Sequence, residues 1–349
     1  MTLSPAIENA VCRIGFGCRW RIRALLAGAR SLRNGVAIQA KWLRDKQRLP
    51  LTQEHKSLYR TIHLYFRETL GQWPDLVACR DYNEKIQWLK LFDQSETIVA
   101  CVDKLRLREY VEQKLGAGHL PALYQIGARF DDLDLAALPN SFALKTNHDS
   151  GSVLLVRDKQ RLDIASARSV FERALGRTFG MRMGEWAYAL VPPKMFAEEY
   201  LEPISNVPPP DYKIHCVEGK ARVVQYICDR GSNPKEQVLT REGAPAGYAI
   251  IEPYVRGNQF QKPEQWEEML EIAETLSAGF KYVRIDLYLP GGHVYVGEMT
   301  FWPHCGCYPG QGQKMLGQEL DFDRTSHKPP VYEAMLLANQ RKPTRAVSA

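Results

Sequence analysis

The sequence predicts an α+β fold in which antiparallel hairpins are flanked by amphipathic helices. Two patterns carry that prediction. Apolar residues alternate in short runs joined by tight turns, as in 212–217 and 221–227 around Glu218-Gly219. Elsewhere they recur at helical spacing, as at Trp266, Met269, Leu270, Ala273 and Leu276. The strands group into hairpins with helices beside them, which is the α+β arrangement. With 349 residues, 45% hydrophobic and 25% charged, the chain is long enough for two or three globular lobes.

Each element has a local reason. Asp81 and Glu84 stand in capping-box spacing ahead of Ile86, Trp88, Leu89 and Phe92, so 81–93 reads as a helix. A second helix covers about 104–115 and is broken by Gly116-Ala-Gly-His-Leu-Pro121, after which 123–127 is a short strand. Strands at 141–145 and 152–156 flank a polar turn containing Gly151, and 160–176 is helical again. Val207-Pro-Pro-Pro210 marks an inter-lobe linker or a rigid approach to the next strand. The helix of 263–280 is opened by Pro263 and closed by Gly279. From about Arg324 the sequence is polar and expected to fray.

Charge is unevenly placed. The first 60 residues hold 12 Lys/Arg and 3 Asp/Glu, a balance of +9 against +6 for the whole chain, so the remainder is slightly acidic. Arg13, Arg19, Arg21 and Arg23 interrupt every apolar run there, which excludes a secretory signal, and no stretch is long enough to span a bilayer. The mixture of bulky apolar residues and arginines in 11–26 is that of an interfacial helix or a loosely packed basic arm. Specific nucleic-acid binding is not expected, because no finger, RNP or basic-zipper pattern accompanies the charge. Eight scattered cysteines without an export signal predict reduced thiols in the cytoplasm, with peripheral contact at the inner membrane face as a further expectation of the basic arm. His304-Cys305-Gly306-Cys307 resembles half a zinc site but has no second half.

Asp286 through Glu298 reads as a hairpin turned by Pro290-Gly291-Gly292. A three-residue loop sets Asp286 opposite Val296 and diagonal to Glu298, so the two carboxylates share a face at roughly 7–8 Å between Cα atoms. Such a pair points to a divalent cation or a basic neighbour such as Arg284, or else stands on an ordinary solvated hairpin face. A second candidate follows Lys145, where Thr146-Asn-His-Asp-Ser-Gly-Ser152 is small and polar enough to bring backbone N–H groups onto a phosphate, although such a turn needs no ligand to form. It is not a Walker loop.

The order of these features resembles the ATP-grasp fold. More narrowly, Asn83-Glu-Lys-Ile-Gln-Trp-Leu-Lys-Leu-Phe-Asp93, Leu144-Lys-Thr-Asn-His-Asp-Ser-Gly151, Phe196-Ala-Glu-Glu-Tyr-Leu201, Asp211-Tyr-Lys213 and Val283-Arg-Ile-Asp-Leu-Tyr with Gly297-Glu-Met-Thr-Phe look like the teichuronopeptide-biosynthesis-type (TupA-like) ATP-grasp proteins over about 80–325. The resemblance implies two α+β lobes clasping ATP. Lys104 and Lys145 would hold its phosphates with the Ser150-Gly151-Ser152 loop. Glu198, Glu199, Tyr200 and Leu201 would form the adenine hinge, and Asp211 and Lys213 would meet ribose and phosphate. Magnesium would sit on Asp286 and Glu298, with Thr300 in place of the family's usual asparagine. Lys145, His148 and Arg284 would then be the catalytic or substrate-contacting groups.

On that basis the expected divisions are a basic arm (1–60), a helical α+β region (61–138), a small lobe with the phosphate loop (139–205), a large lobe with the metal hairpin (206–325) and a polar tail (326–349). The implied activity is ATP-dependent ligation of a carboxylate to an amine through an acyl phosphate. By family context the carboxylate is a uronic acid or similar group of a surface polysaccharide, and the amine an amino acid or peptide. Two other readings stand beside it: a glycosyltransferase, prompted by Asp132-Leu-Asp134, and a non-catalytic ATP-binding scaffold, prompted by Thr300.

Overall fold

In a computed structural model, described for residues 33–201, 209–229, 233–251, 255–256, 260–332 and 334–335, the chain forms two sheets with helices against them. The basic segment 1–32, with Trp20, Leu25 and Leu26, lies outside the described residues. The strands are β1 (Leu123–Gly127), β2 (Phe142–Thr146), β3 (Val153–Val156), β4 (Met195–Glu198), β5 (Asp211–Val217), β6 (Lys220–Cys228), β7 (Lys235–Thr240), β8 (Val255–Arg256), β9 (Tyr282–Tyr288) and β10 (Tyr295–Thr300). The smaller sheet has the order β1-β4-β2-β3 and the larger β10-β9-β5-β6-β7-β8. Every pairing is antiparallel except β7 with β8.

The smaller sheet has its own core. Phe142, Leu144, Met195 and Ala197 meet Ala167 and Phe171 of the Ile164–Leu175 helix, together with Phe130, Leu133 and Leu138. This lobe therefore begins near Leu123 rather than at 139, because β1 supplies its edge by pairing with β4. The larger sheet packs on the Trp266–Ser277 helix, whose predicted stripe of Trp266, Met269, Leu270, Ala273 and Leu276 is buried throughout. The β5–β6 turn is Glu218-Gly219 with φ of 48° and 77°, the left-handed pair that a two-residue hairpin of matching twist requires.

Two terminal expectations change. Residues 33–45 are helical and the next long helix, Lys56–Leu70, runs through position 60, so no boundary falls there. Trp42 is buried against Tyr59 at 5.0 Å between ring centroids and belongs to the main core. At the other end 328–332 is held rather than frayed. The Lys328 amide donates to the Phe92 carbonyl at 2.9 Å, Gln94 Oε1 accepts from the Val331 and Tyr332 amides at 3.0 Å each, and the Tyr332 ring is buried.

The Tyr82–Phe92 helix buries a polar row, Asn83, Gln87 and Lys90, spaced so that all three share one face. Asn83 clasps Tyr308 through both its amide and its carbonyl, each at 2.9 Å. Gln87 donates to the Gly306 carbonyl at 2.8 Å. Lys90 donates to the carbonyls of Met183 and Cys305 at 2.8 Å and to Gln87 Oε1 at 3.0 Å. These bonds fix a turn in which His304 and Cys305 adopt φ of 51° and 57°. That geometry disfavours non-glycine residues and persists because the surroundings dictate it. The Cys305 thiol lies 3.1 Å from Met183 Sδ, and no three His, Cys, Asp or Glu side chains cluster as metal ligands among the described residues.

Candidate nucleotide and metal site

The site is assembled where the Lys104–Leu115 helix, the β2–β3 turn and the ends of β4, β5 and β10 converge. Asp103 caps the helix, its carboxylate accepting from the Leu105 amide at 3.0 Å and from Asn147 Nδ2 at 2.9 Å. The cap therefore ties the helix start to the turn after β2. Lys104 adds to the tie, its amide donating to the Asn147 carbonyl at 3.0 Å and its ammonium to the Asp149 carbonyl.

Inside the turn, the Thr146 and Ser152 hydroxyls both donate to the Asp149 carboxylate, and Gly151 turns the chain at φ 98°. The amides of Ser150, Gly151 and Ser152 donate to no described residue. The turn thus holds its own shape while leaving successive N–H groups open, the condition for an anion nest. His148 is a correction. It is buried with Nε2 3.2 Å from the Ala174 carbonyl, so its ring turns under the Ile164–Leu175 helix and away from the site. Burial of an apolar-facing imidazole anchors the turn instead of presenting a catalytic group.

A cavity of about 400 Å³ lies between the two sheets. Val153, Leu155, Phe196 and Leu201 supply apolar wall, while Lys104, Arg108, Lys145, Glu198 and Asp211 supply charge around it. Flat apolar walls with a few convergent polar groups suit a nucleobase leading to phosphates. A larger cleft of about 710 Å³ on the other flank of the Lys104–Leu115 helix shares only Arg108 with that charged set.

Glu198 ends β4 and joins two cations, Lys145 Nζ at 2.5 Å and Arg108 Nη1 at 3.1 Å. Sequence reasoning missed Arg108. Its signal was present, because Lys104 and Arg108 stand four apart and so share a helix face. Glu199 spends its polar groups on Ala122, the backbone N–H donating at 2.8 Å and the carboxylate accepting at 3.0 Å. The Tyr200 hydroxyl accepts from Arg157 Nε at 3.2 Å. Glu199, Tyr200 and Leu201 all line the cavity, so the four hinge positions are gathered at it with Lys104, Lys145 and Asp211.

The remaining candidates lie on β5, β9 and β10. Lys213 bridges Asp211, at 3.7 Å, and Asp286. Arg284 binds Asp286 bidentately, at 2.6 and 2.7 Å, and donates to the Thr300 hydroxyl at 3.3 Å. Burial alone would raise the Asp286 pKa, but the Arg284 and Lys213 charges outweigh it and hold the carboxyl well below its usual range. The same partnership pushes Arg284 well above its ordinary value against the effect of burial.

Asp286 stands directly opposite Glu298, not diagonal to it. The turn is six residues, 289–294, and pairs Tyr288 with Tyr295 and Leu287 with Val296. A bulge between Val296 and Glu298 then shifts the register by one. The extra residue is Gly297, where an added Cβ would lie 2.3 Å from the Tyr288 ring. Directly opposed positions lie about 4.5–5.5 Å apart at Cα. Glu298 is half-buried and makes no hydrogen bond or ion pair with a described residue. Behind it, a second missed group, Glu185, is buried and its carboxyl is pushed up to about 7 by burial, which Lys90 partly offsets.

This donor set fits magnesium. One open carboxylate faces one paired carboxylate, and Mg²⁺ is commonly held by one or two carboxylates with phosphate oxygens and water completing its shell. The Thr300 hydroxyl accepts from Arg284 and keeps a second lone pair. The glycosyltransferase reading loses its feature: Asp132 accepts from the Ala128 and Arg129 amides at 2.9 Å each, and Asp134 from the Ala136 and Ala137 amides at 3.0 and 3.2 Å, as turn caps.

A protein-family model described as TupA-like ATPgrasp matches residues 84–321. No curated protein matches the chain. Among solved structures, D-alanine–D-alanine ligase from Bacillus anthracis complexed with ATP is 18% identical, with 58% of this chain and 54% of that chain covered and a TM-score of 0.34. The ATP-grasp ligase PsnB complexed with its minimal precursor is 13% identical over 68% and 61%, TM-score 0.32. N5-carboxyaminoimidazole synthase from Aspergillus clavatus, in complex with ADP and 5-aminoimidazole ribonucleotide, is 14% identical over 59% and 46%, TM-score 0.36. The chain therefore spans 46–61% of the length of these proteins.

Proposed function

The chain belongs to the TupA-like ATP-grasp family, and from that membership we propose that it is an ATP-dependent ligase joining a carboxylate to an amine. The observation that carries the reading is the cavity between the sheets, lined by Lys104, Arg108, Lys145 and Val153, the last two flanking the turn whose Ser150, Gly151 and Ser152 amides donate to no described residue. A base would lie among Val153, Leu155, Phe196 and Leu201, with Asp211 at the ribose. The phosphates would run toward Lys104, Lys145 and the Ser150–Ser152 amides.

The chemistry asks for charge management rather than a protein nucleophile. A substrate carboxylate oxygen attacks the γ-phosphorus, and the β–γ bridging oxygen leaves with ADP. A neutral amine then attacks the acyl carbon, phosphate departs with the C–O electron pair, and the nitrogen loses a proton. Lys145 and Lys213 spread charge from the transferring group, and Arg284 meets the anionic carboxylate or the oxyanion formed from it. Magnesium on Glu298 and Asp286 would neutralise adjoining phosphate oxygens. The carboxylate is proposed to be a uronic acid or similar group of a surface polysaccharide, and the amine an amino acid or peptide.

The decisive test is phosphate release from ATP with a panel of uronic acids and amino acids. Release that requires both a carboxylate and an amine is expected. ATP binding without carboxylate-dependent release from any pair would favour the scaffold, and binding of a sugar nucleotide in place of ATP would favour the transferase. A narrower expectation concerns Lys145→Ala, which removes a charge-assisted contact to phosphate and should weaken ATP binding by about 1.5–3 kcal/mol. Glu198 keeps Arg108 as its partner in that variant, so the fold should survive. Calorimetry showing unchanged affinity would take Lys145 out of the site.

A further inference from the structure

The helix of 33–45 turns Ile38, Trp42 and Asp45 inward. At 3.6 residues per turn, Val36, Ala40 and Leu43 then fall along the middle of its outer face. They are exposed there, Val36 at 68% and Leu43 at 56%. A surface helix ordinarily carries mostly polar residues on that face, and this one carries three apolar side chains there beside Arg33.

The charges around the stripe are of one sign. Arg33, Arg44, Lys46 and Arg48 are all exposed. The one acid of the helix, Asp45, is buried, where it accepts from the Tyr59 hydroxyl at 2.8 Å and pairs with Lys41 at 3.4 Å. It therefore cancels nothing on the outer face. Residues 1–32 extend the same balance, with five arginines and one glutamate. An apolar stripe bordered by unopposed cations is the pattern of a helix that lies in the plane of an anionic interface.

We propose that this face docks on an anionic lipid bilayer, with Val36, Ala40 and Leu43 entering the boundary between headgroups and acyl chains and the four cations meeting lipid phosphates. The stripe decides between lipid and other polyanions. A nucleic acid or an acidic glycan offers the cations a partner but leaves Val36 and Leu43 against a charged backbone. The inference concerns a surface remote in sequence from the nucleotide site, and it does not rest on the ligase reading.

The test is flotation of the full-length protein with vesicles of phosphatidylglycerol or of phosphatidylcholine. Wild type is expected to float with the first and not the second, and to be released as salt rises from about 0.1 to 1 M, where the Debye length shrinks from about 10 to 3 Å. Val36→Asp with Leu43→Asp should weaken binding about tenfold or more at an unchanged melting temperature, since two apolar anchors are lost and two anions added. If those aspartates lower the melting temperature, Val36→Ser with Leu43→Ser gives the same comparison without new charge. Four results would overturn the proposal: no binding to either vesicle, double variants that bind as wild type does, a soluble polyanion bound as tightly as the vesicles, or a dimer in solution that the double variants dissociate.

Discussion

Asp286→Ala is expected to destabilise the fold by about 3–5 kcal/mol and to abolish turnover, because it strands two cations in the interior. Asp286 is 2% exposed and neutralises both Arg284 and Lys213. Removing it leaves two charges without their shared carboxylate: Asp211 is 3.7 Å from Lys213, and Arg284 keeps only hydroxyl neighbours, Thr300 and Tyr308. Denaturant unfolding measures the loss. A variant as stable as wild type would mean that the pair contributes nothing net.

The same carboxylate predicts an acid limit. Its folded pKa lies below the unfolded-chain value of 3.8, so the unfolded chain takes up the proton first as pH falls. The stabilisation is therefore complete above about that value and drains away as pH descends through it toward the lower folded pKa. Asp286→Ala should lack this component, and its stability should fall less steeply than that of wild type across the same window.

Glu298→Gln should behave in the opposite way, leaving stability near wild type while turnover falls about 10²–10³-fold and the magnesium requirement rises sharply. The Glu298 side chain makes no hydrogen bond or ion pair with a described residue, so neutralising it breaks none and relieves its repulsion of the buried Glu185 carboxyl. Wild-type magnesium dependence in the variant would return the hairpin to an ordinary solvated turn. Set beside Asp286→Ala, the pair separates a carboxylate that also neutralises two interior cations from one whose side chain makes no hydrogen bond or ion pair with a described residue.

Much of the site was legible because its residues lie in short segments with local reasons. Asp103 before a helix, Lys145 before a run of small polar residues, and Glu198 through Leu201 at a strand end all announce themselves within a few positions. What sequence could not supply was pairing across the fold. His148 sits inside the polar turn and reads as a ligand, yet it is a buried anchor because a helix that starts at Ile164 closes over it. Arg108 reads as one charge on a helix until β4 brings Glu198 to it. The hairpin is the instructive case. The expected three-residue turn would place Asp286 and Glu298 on one face, and so does the observed six-residue turn, but only because Gly297 adds a residue. Without that bulge the register set by Tyr288 and Tyr295 would pair Glu298 with Ile285 and point it to the other face. The face was read correctly although the turn and the bulge were not.

The polar row of Asn83, Gln87 and Lys90 sets an order of assembly. These side chains are made early, but their acceptors at 305–308 are made more than two hundred residues later. Until that segment arrives, the Lys90 ammonium lacks the Cys305 carbonyl, one of its three acceptors, and Asn83 and Gln87 lack their bonds to Tyr308 and Gly306, so burying the row would leave polar groups unpaired. Full satisfaction of the row is therefore expected only after both sheets have been made, when the segment at 305–308 joins the helix. Such contacts couple the Tyr82–Phe92 helix to a loop more than two hundred residues away, and long-range pairings of that kind slow folding in general.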